Sequence, residues 1–599
     1  MRFKNPRVAE AFEPIKLAFF KLAIFVIVRR WLILSYLLLL LIVAVGFSYR
    51  KEFIANTMPY PLHADEAFIT QSALQMLVTG DPNPHFFNYP SLPIYLTKAC
   101  MEWGAKLAKR RSELAYVGQI ESVTYPYYRP PTPLWPARIA FALLSVFTLF
   151  FVGLIDRCNT GAKSSLWVSP LLLSFSGQFL FHSWRYLNVD IVGSFFVSLG
   201  LWHLLATLYD QSLRHRAVIP GILCGLAMAC KYPLALLALP YLLAILLFQT
   251  KQSLVYGFCL FGTLILTFAI LVPYSIIDAP GFWHGVRYEI VHYRSGHPGF
   301  EGQAGILQFL FYIQKLFEEY GAVAFIYACV GMVVLAWLNW RKAVIFLSMP
   351  LALLLLMSMQ KVHFIRNVLI LLAIWPVLVS LGMHRMRYAV LWLINKINST
   401  LSLNPNRNRN LNPNPNPNLN LNRNLSFFFN QGKRAAALAV VSLPLVITLP
   451  WRSIAQAYDV PVDSRKVATK WIKDHVSKDS DLIIAKELQM DTQDLRREHF
   501  VHQVAFEDTV AVDSVIAFVA PRGAMIFLVP EFGPNPRRSG EEVYAQKLNG
   551  RYAGLDLLQE FGREPVRVKN VNPAGNGNPK FSIRTKGVPR GEPVPERKR

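Results

Sequence analysis

The feature that most constrains this chain is the recurrence of long apolar runs, such as Trp31–Phe47, Ile191–Leu208 and Leu351–Met359, through its first three quarters. A helix needs roughly 20 mostly apolar residues to cross the hydrocarbon core of a bilayer, where every backbone polar group must be bonded within the segment. One such run can be a buried core helix. About eleven of them describe a polytopic α-helical membrane protein embedded in a lipid bilayer. Hydrophobic residues make up 53% of the 599 and charged residues only 17%, a balance that excludes a string of soluble domains.

The charge then sorts the two sides. The formal net charge of +25 is not gathered on one polar domain, as a nucleic-acid binder would require. It is spread through short turns between apolar runs, the pattern by which Lys and Arg hold loops in the cytosol. Residues 1–30, with Arg2, Lys4, Arg7, Lys16, Lys21, Arg29 and Arg30, read as a cytoplasmic N-terminus. The apolar run that follows is too long for a signal peptide and lacks a small-residue cleavage site, so it is a retained span near 31–48. A long outer loop, 49–135, comes next. Further spans are expected near 136–155, 166–182, 190–208, 217–230, 233–248, 254–272, 322–338, 343–359, 364–383 and 435–450. Alternation places Arg157 and Lys163, Arg214 and Arg216, Lys251, Arg341 and Lys342, and Arg385 and Arg387 in the cytosol. Within 217–248, Lys231-Tyr232-Pro233 either divides two short spans or kinks a longer one, since Pro233 removes a backbone donor.

The membrane module thus runs over 31–400. A linker at 401–434 contains Asn404–Asn424, in which Asn alternates with Pro, Arg and Leu. With no apolar periodicity it cannot form a core, and it reads as a disordered cytoplasmic segment. After the last span the character changes to a soluble α/β domain over 451–565, placed outside. Ser464–His475 carries Val467, Trp471 and Ile472 at helical spacing. Asp481–Ala485, Asp513–Val519 and Ala524–Val529 read as strands. The tail, 566–599, reads as disordered. The six cysteines lie in or beside the apolar part, so no disulfide framework is indicated in the polar domain.

On this topology the notable polar residues converge on the outer face. His63-Ala64-Asp65-Glu66 follows the first span, and Asn88-Tyr89-Pro90-Ser91 lies in the same loop. Arg185 through Asp190 forms an outer turn, Lys231 marks the next, and Lys361 through Arg366, including His363, another. Each has a bland role available. Asp65 and Glu66 can be solvated carboxylates, Arg185 and Asp190 can pair at span ends, and Lys231, Lys361 and Arg366 can snorkel. Two observations weigh the other way. The Asp65-Glu66 pair follows Pro59 and Pro61 and opens an amphipathic stretch, Ala67–Leu77. Outer-face cations also run against the topology rule, and ionisable groups near the bilayer core cost about 2.5–3.5 kcal/mol each. Their retention asks for an anionic partner, and a lipid phosphate fits, with Arg offering bidentate recognition.

HADE after the first span, then YPSLPIYL, RYLNVD, GLAMACKY and KVHFIRN, resemble in order and spacing the dolichyl-phosphate-mannose protein mannosyltransferase superfamily, over about residues 30–385. That group includes the bacterial aminoarabinose transferase of lipid A and has the GT-C membrane fold. SRKVATKWIKDHVSKDSDLIIAKE resembles an outer domain of its prokaryotic members. One departure is plain: many relatives have Lys or His before a Pro-Pro pair in the first loop, where this chain has Tyr89-Pro90-Ser91. The resemblance implies a sugar carried on polyprenyl phosphate and an inverting transfer on the extracytoplasmic side of the cell membrane. The acceptor would be a hydroxyl (or an amino or phosphate group) of a glycan, lipid or protein. Asp65 would be the general base, with Glu66 and Asp190 orienting it or the acceptor. Lys361 and Arg366, then Lys231 and Arg185, would hold the donor phosphate, and His63, Asn88, Tyr89 and His363 would contact substrate. The resemblance fixes no cofactor. Some relatives use a divalent cation, for which His63 with Asp65 and Glu66 are candidate ligands here, without a tight cluster. The rival reading is a lipid or polysaccharide transporter or flippase, which favours mid-membrane ionisable groups and a repeat between halves. The charges here sit at outer span ends. Sugar, acceptor and oligomeric state stay open.

Overall fold

The computed structural model describes residues 6–120, 130–209, 217–248, 253–297, 300–401, 436–458, 462–520, 525–533, 542–553, 555–561, 566–567 and 580–586. The Asn/Pro linker lies outside the described residues.

Helix α1 (Pro6–Thr57) contains the first span and continues past it. The expected outer loop is not a plain loop but carries two helices, α2 (Ala64–Thr79) and α3 (Leu92–Arg110). Next come α4 (Trp135–Thr160), α5 (Ser165–Ser174), α6 (Gly177–Trp184) and α7 (Val189–Thr207). They are followed by α8 (Val218–Met228), α9 (Ala238–Phe248), α10 (Ser253–Leu271), α11 (Tyr274–Ile277), α12 (Ala279–Ser295) and α13 (Ile306–Tyr320). The module closes with α14 (Ala322–Leu338), α15 (Trp340–Ser358), α16 (Leu369–Leu401), α17 (Ala436–Thr448) and α18 (Trp451–Tyr458).

Among the described residues, six helices are long and apolar enough to cross a bilayer, or seven if α13 and α14, bent by 116°, count as one span. The expectation of about eleven is therefore not met by length, because several apolar stretches are broken. The stretch expected at 166–182 stops at Ser174 and restarts at Gly177, where the Ser176 hydroxyl accepts from the Phe179 amide at 3.1 Å. The 217–248 stretch divides at Lys231, with a 3-10 turn, Tyr232–Leu237, between α8 and α9. Glycines bring the helices close: a Cβ on Gly331 would meet the Leu378 carbonyl oxygen at 2.2 Å, and one on Gly382 the Tyr327 carbonyl oxygen at 1.9 Å.

Helix α4 defines two ends of the bundle. Arg138 near its start bonds Glu66 and the Tyr60 carbonyl, while the Cys158 carbonyl near its end accepts from Lys342 Nζ at 2.6 Å. At 1.5 Å per residue these lie roughly 30 Å apart, the thickness of a hydrocarbon core. Ser164 and His384 meet at that second end, at 3.5 Å.

The C-terminal domain is built on a five-stranded sheet of order β2-β1-β3-β7-β5. Strand β1 (Asp481–Ala485) pairs parallel with β2 (Phe500–Val504) and β3 (Met525–Pro530). A two-residue pair, β4 (Phe532–Gly533) with β6 (Val566–Arg567), lies apart from it. Strand β7 (Phe581–Lys586) pairs antiparallel with both β3 and β5 (Asp556–Phe561). Helices α19 (Ser464–His475), α20 (Thr509–Val519) and α21 (Glu542–Tyr552) complete it. Two expectations are corrected. Asp513–Val519 is helix, not strand: Val512 and Val519 are buried with Val515 and Ile516 packed beside them, and Asp508 caps the start by accepting from the Ala511 amide at 3.1 Å. The tail is not wholly disordered, because Phe581 and Ile583 alternate into the core at period two and carry β7 into the middle of the sheet.

Candidate active site

Helix α2 begins at His63, which is extended and whose Nδ1 accepts from the Asp65 amide at 3.1 Å. The imidazole stacks on Tyr186 with centroids 4.0 Å apart. Successive helical residues differ by about 100° in direction, so the adjacent carboxylates part company. Asp65 faces a cavity. Its carboxylate is ion-paired with Arg366 and accepts from the Tyr89 hydroxyl at 3.3 Å. Burial works to raise the Asp65 pKa, but the Arg366 charge, His63 and the two hydrogen bonds outweigh it and hold the group below the usual carboxylate range. Burial also lowers His63, to about 4, which keeps the ring neutral and its Nδ1 free to accept. Glu66 turns inward instead. It receives Arg138 Nε and Nη2, both at 2.8 Å, and the two side chains are almost wholly buried.

A second ion pair lies beside the first. Asn188 caps α7 by accepting from the Asp190 amide at 2.8 Å, presenting the Asp190 carboxylate to Lys231 Nζ at 2.5 Å. Lys231 also donates to Asn367 Oδ1 at 3.3 Å, and the Tyr293 hydroxyl donates to the same oxygen at 2.7 Å. Asp65, Tyr89, Tyr186, Asp190, Lys231, Tyr293 and Arg366 together line a void of about 10 Å³, room for about one water. Residues from the first outer loop, the RYLNVD turn, the GLAMACKY turn and the KVHFIRN turn thus meet at one point.

The void adjoins a cavity of about 1400 Å³, walled by His63, Asp65, Asn88, Tyr89, His363 and Arg366 among others. His363 stacks on Phe311 at 4.2 Å. Five residues named from sequence are not on this wall: Asp190 and Lys231 line only the small adjoining void, and three lie elsewhere. Glu66 is in the core against Arg138. Lys361 is exposed, and its backbone ties the turn down by donating to the Tyr293 carbonyl at 3.0 Å and accepting from the Gly302 amide at 2.6 Å. The Arg185 guanidinium lies over the Phe181 ring at 4.3 Å.

A further part of the cavity wall is not legible in the motifs. Helix α12 contributes Tyr288, Glu289, His292 and Tyr293. A signal for it exists: Asp278 caps a helix that opens Ala-Pro-Gly, and Phe282, Val286, Glu289 and Tyr293 recur at one-face spacing. Burial pushes the Glu289 carboxyl up to about 7, with Lys231 and Arg366 opposing.

His63, Asp65 and Glu66 do not fit a divalent cation. Both carboxylates are committed to guanidinium groups, the His63 nitrogen facing Asp65 already accepts a backbone N–H, and no group of three metal-ligating side chains is placed to hold an ion among the described residues.

Residues 132–277, which hold Arg138, Asp190 and Lys231, match the family model described as dolichyl-phosphate-mannose-protein mannosyltransferase. Among solved structures the chain is similar to ArnT from Cupriavidus metallidurans bound to undecaprenyl phosphate, with 12% identity over 91% of this chain and 97% of that one and a TM-score of 0.46. It is also similar to the Archaeoglobus fulgidus oligosaccharyltransferase AglB in complex with an inhibitory peptide and a dolichol-phosphate, with 12% identity, 82% and 69% coverage and a TM-score of 0.43. For the arabinofuranosyltransferase AftD from Mycobacteria the values are 14%, 94%, 40% and 0.38. A comparison with curated proteins gives no match. The resemblance read from motif order is thus met by the mannosyltransferase-family match across 132–277, in a polytopic helical membrane protein with a small C-terminal α/β domain.

Proposed function

We propose that this protein is a GT-C membrane glycosyltransferase that moves a sugar from a polyprenyl-phosphate donor to an acceptor hydroxyl on the extracytoplasmic face. The observation that carries the reading is the Asp65–Arg366 ion pair on the wall of a cavity of about 1400 Å³, with Lys231 and Asp190 beside it. The volume exceeds the usual 300–1,000 Å³ of a single-ligand pocket, which suits a sugar-phosphate head and an acceptor together.

The donor phosphate takes the Arg366 guanidinium from Asp65, because a phosphodiester oxygen competes for the same bidentate fork. Asp65, released, accepts the proton of the acceptor hydroxyl. The acceptor oxygen bonds to the anomeric carbon as the bond from that carbon to the phosphate oxygen breaks, with inversion. The electron pair leaves on polyprenyl phosphate, whose growing charge is met by Arg366 and by Lys231. Asp190 and Asn367 hold Lys231, and Glu66 holds the helix start through Arg138.

The outward facing of the site is supported by the gathering of Arg157, Lys163 and Lys342 at the other end of α4. Two experiments test the proposal. Purified protein incubated with a panel of polyprenyl-phosphate sugars and glycan, lipid and protein acceptors should transfer at least one sugar. Impermeant labelling of single cysteines in intact cells should reach position 500 and not 415. Absence of transfer with every donor, or the reverse labelling, would overturn the corresponding part.

A further inference from the structure

The approach to the catalytic helix is gripped by the C-terminal domain, which takes no part in the chemistry above. Tyr60 is 1% exposed and lies between two guanidinium groups. Arg138 Nη2 donates to its carbonyl at 3.0 Å, and the Arg465 guanidinium carbon stands 3.6 Å from its ring centroid. The Tyr60 hydroxyl accepts from the Asp491 amide at 3.1 Å. Arg465 is itself immobilised: Nε and Nη2 each donate to the Asp463 carboxylate at 2.8 Å, and both residues are 1% exposed. Two further bonds land just upstream, from the Asp463 amide to the Asn56 carbonyl at 3.2 Å and from Lys466 Nζ to the Ala55 carbonyl at 2.8 Å. The domain therefore holds the residues leading into α2 by ring, hydroxyl and backbone at once.

We propose that Arg465, fixed by Asp463, is a positioning residue for the active site: by clamping Tyr60 it sets the Arg138–Glu66 pair and the first turn of α2, and with them the place of Asp65. The path is short, and every member from Asp463 to Glu66 is buried. Tyr60 shares Arg138 with Glu66, and Glu66 is the residue next to Asp65. A planar guanidinium suits the task, since it stacks on the ring with its face while its edge holds the carboxylate; a lysine keeps the charge but not the fork. The consequence for turnover rests on the transferase reading; the clamp itself does not.

The test uses full-length protein and reads turnover and hydrogen exchange together. Arg465→Ala should raise amide exchange across 57–66 by about tenfold or more while leaving 135–160 unchanged. It should lower kcat about 10- to 100-fold with the donor KM held within about twofold, as misplacement by about 1 Å implies. Arg465→Lys should fall between. Tyr552→Phe loses a bond to the Phe506 carbonyl (3.1 Å) inside the same domain, away from the clamp, and should keep wild-type kcat. Unchanged exchange in 57–66, unchanged kcat in Arg465→Ala, or an equal loss of kcat in Tyr552→Phe would overturn the proposal. If wild-type protein transfers no sugar from any donor, the transferase reading fails and the exchange result alone decides the clamp.

Discussion

Replacing Asp65 by Asn separates the two tasks that meet at this carboxylate. The amide keeps the shape and still accepts a hydrogen bond from Tyr89 or Arg366, but it carries no charge and takes no proton. Loss of a general base removes about 10²–10⁴ of rate. The ion pair adds a second, opposite effect. On the proposed mechanism the donor phosphate displaces Asp65 from Arg366, so removing the competing charge should free the guanidinium for phosphate. A hydrogen bond to a charged group contributes about 1.5–3 kcal/mol net, and an Asn that retains part of it leaves roughly 1.4 kcal/mol, or tenfold, as the gain in affinity. The cost in stability stays below the roughly 3–5 kcal/mol of a broken buried pair, because Arg366 borders an open cavity and keeps Tyr89 and the Phe364 face nearby. The expected signature is tighter binding of polyprenyl phosphate with turnover nearly abolished, read by calorimetry with a short-chain polyprenyl phosphate and by single-turnover transfer. Full turnover in Asp65→Asn would refute the base assignment. Affinity and turnover falling together would make Asp65 a binding group instead.

Arg366→Ala should lower kcat/KM for the donor by about 2–4 kcal/mol in transition-state terms, whereas Lys361→Ala, exposed and off the cavity wall, should stay near wild type; steady-state kinetics on both settle which cation meets the phosphate. Glu289 is held near 7 chiefly by burial, so it is neutral below that pH and anionic above it. Affinity for the polyprenyl-phosphate sugar, a phosphodiester whose charge is fixed in this range, should therefore weaken as pH rises from 6 to 8, and the dependence should flatten in Glu289→Gln; an unchanged profile in that variant would remove Glu289 from the donor's surroundings. Gly382→Val should fail to assemble or melt far lower, since its Cβ would stand 1.9 Å from the Tyr327 carbonyl oxygen, whereas the same change at exposed Gly262, with nothing within 4 Å, should be tolerated in thermal-shift measurements on purified protein.

Where the fold was legible, local pattern carried it. The helix over Ser464–His475 lies where its apolar spacing puts it, and the strand over Asp481–Ala485 where a short Ile-rich run between turn residues puts it. The failures have physical causes. Asp513–Val519 is rich in Val and Ile, which favours strand, yet Asp508 caps a helix there and packing against the sheet decides. The broken spans keep the composition of a crossing helix while Ser176, capping a new helix, and Pro233 divide the backbone, and hydropathy does not register a missing hydrogen bond.

The site divides in the same way. Asp65, Asp190, Lys231 and Arg366 stood out because each is an ionisable group at the edge of an apolar run, and the structure joins them in two ion pairs. Which carboxylate of the Asp65-Glu66 pair faces the cavity was not legible, since that depends on Arg138, 72 residues along the chain, which occupies Glu66 completely. Lys361 and Arg366 likewise look alike as outer-face cations, but Lys361 is exposed with its backbone bonded to the Tyr293 and Gly302 segments, whereas five residues on Arg366 is paired with Asp65. Glu289 is not legible as a site residue because α12 is too polar to read as a span. That polarity is itself informative. Along one face of α12, Phe282 and Gly285 in the first half are buried against Phe87, and two turns on, along the same face, Glu289, His292 and Tyr293 line the cavity. An amphipathic segment between two spans, capped and opened by Pro, is therefore where the other half of such a site belongs.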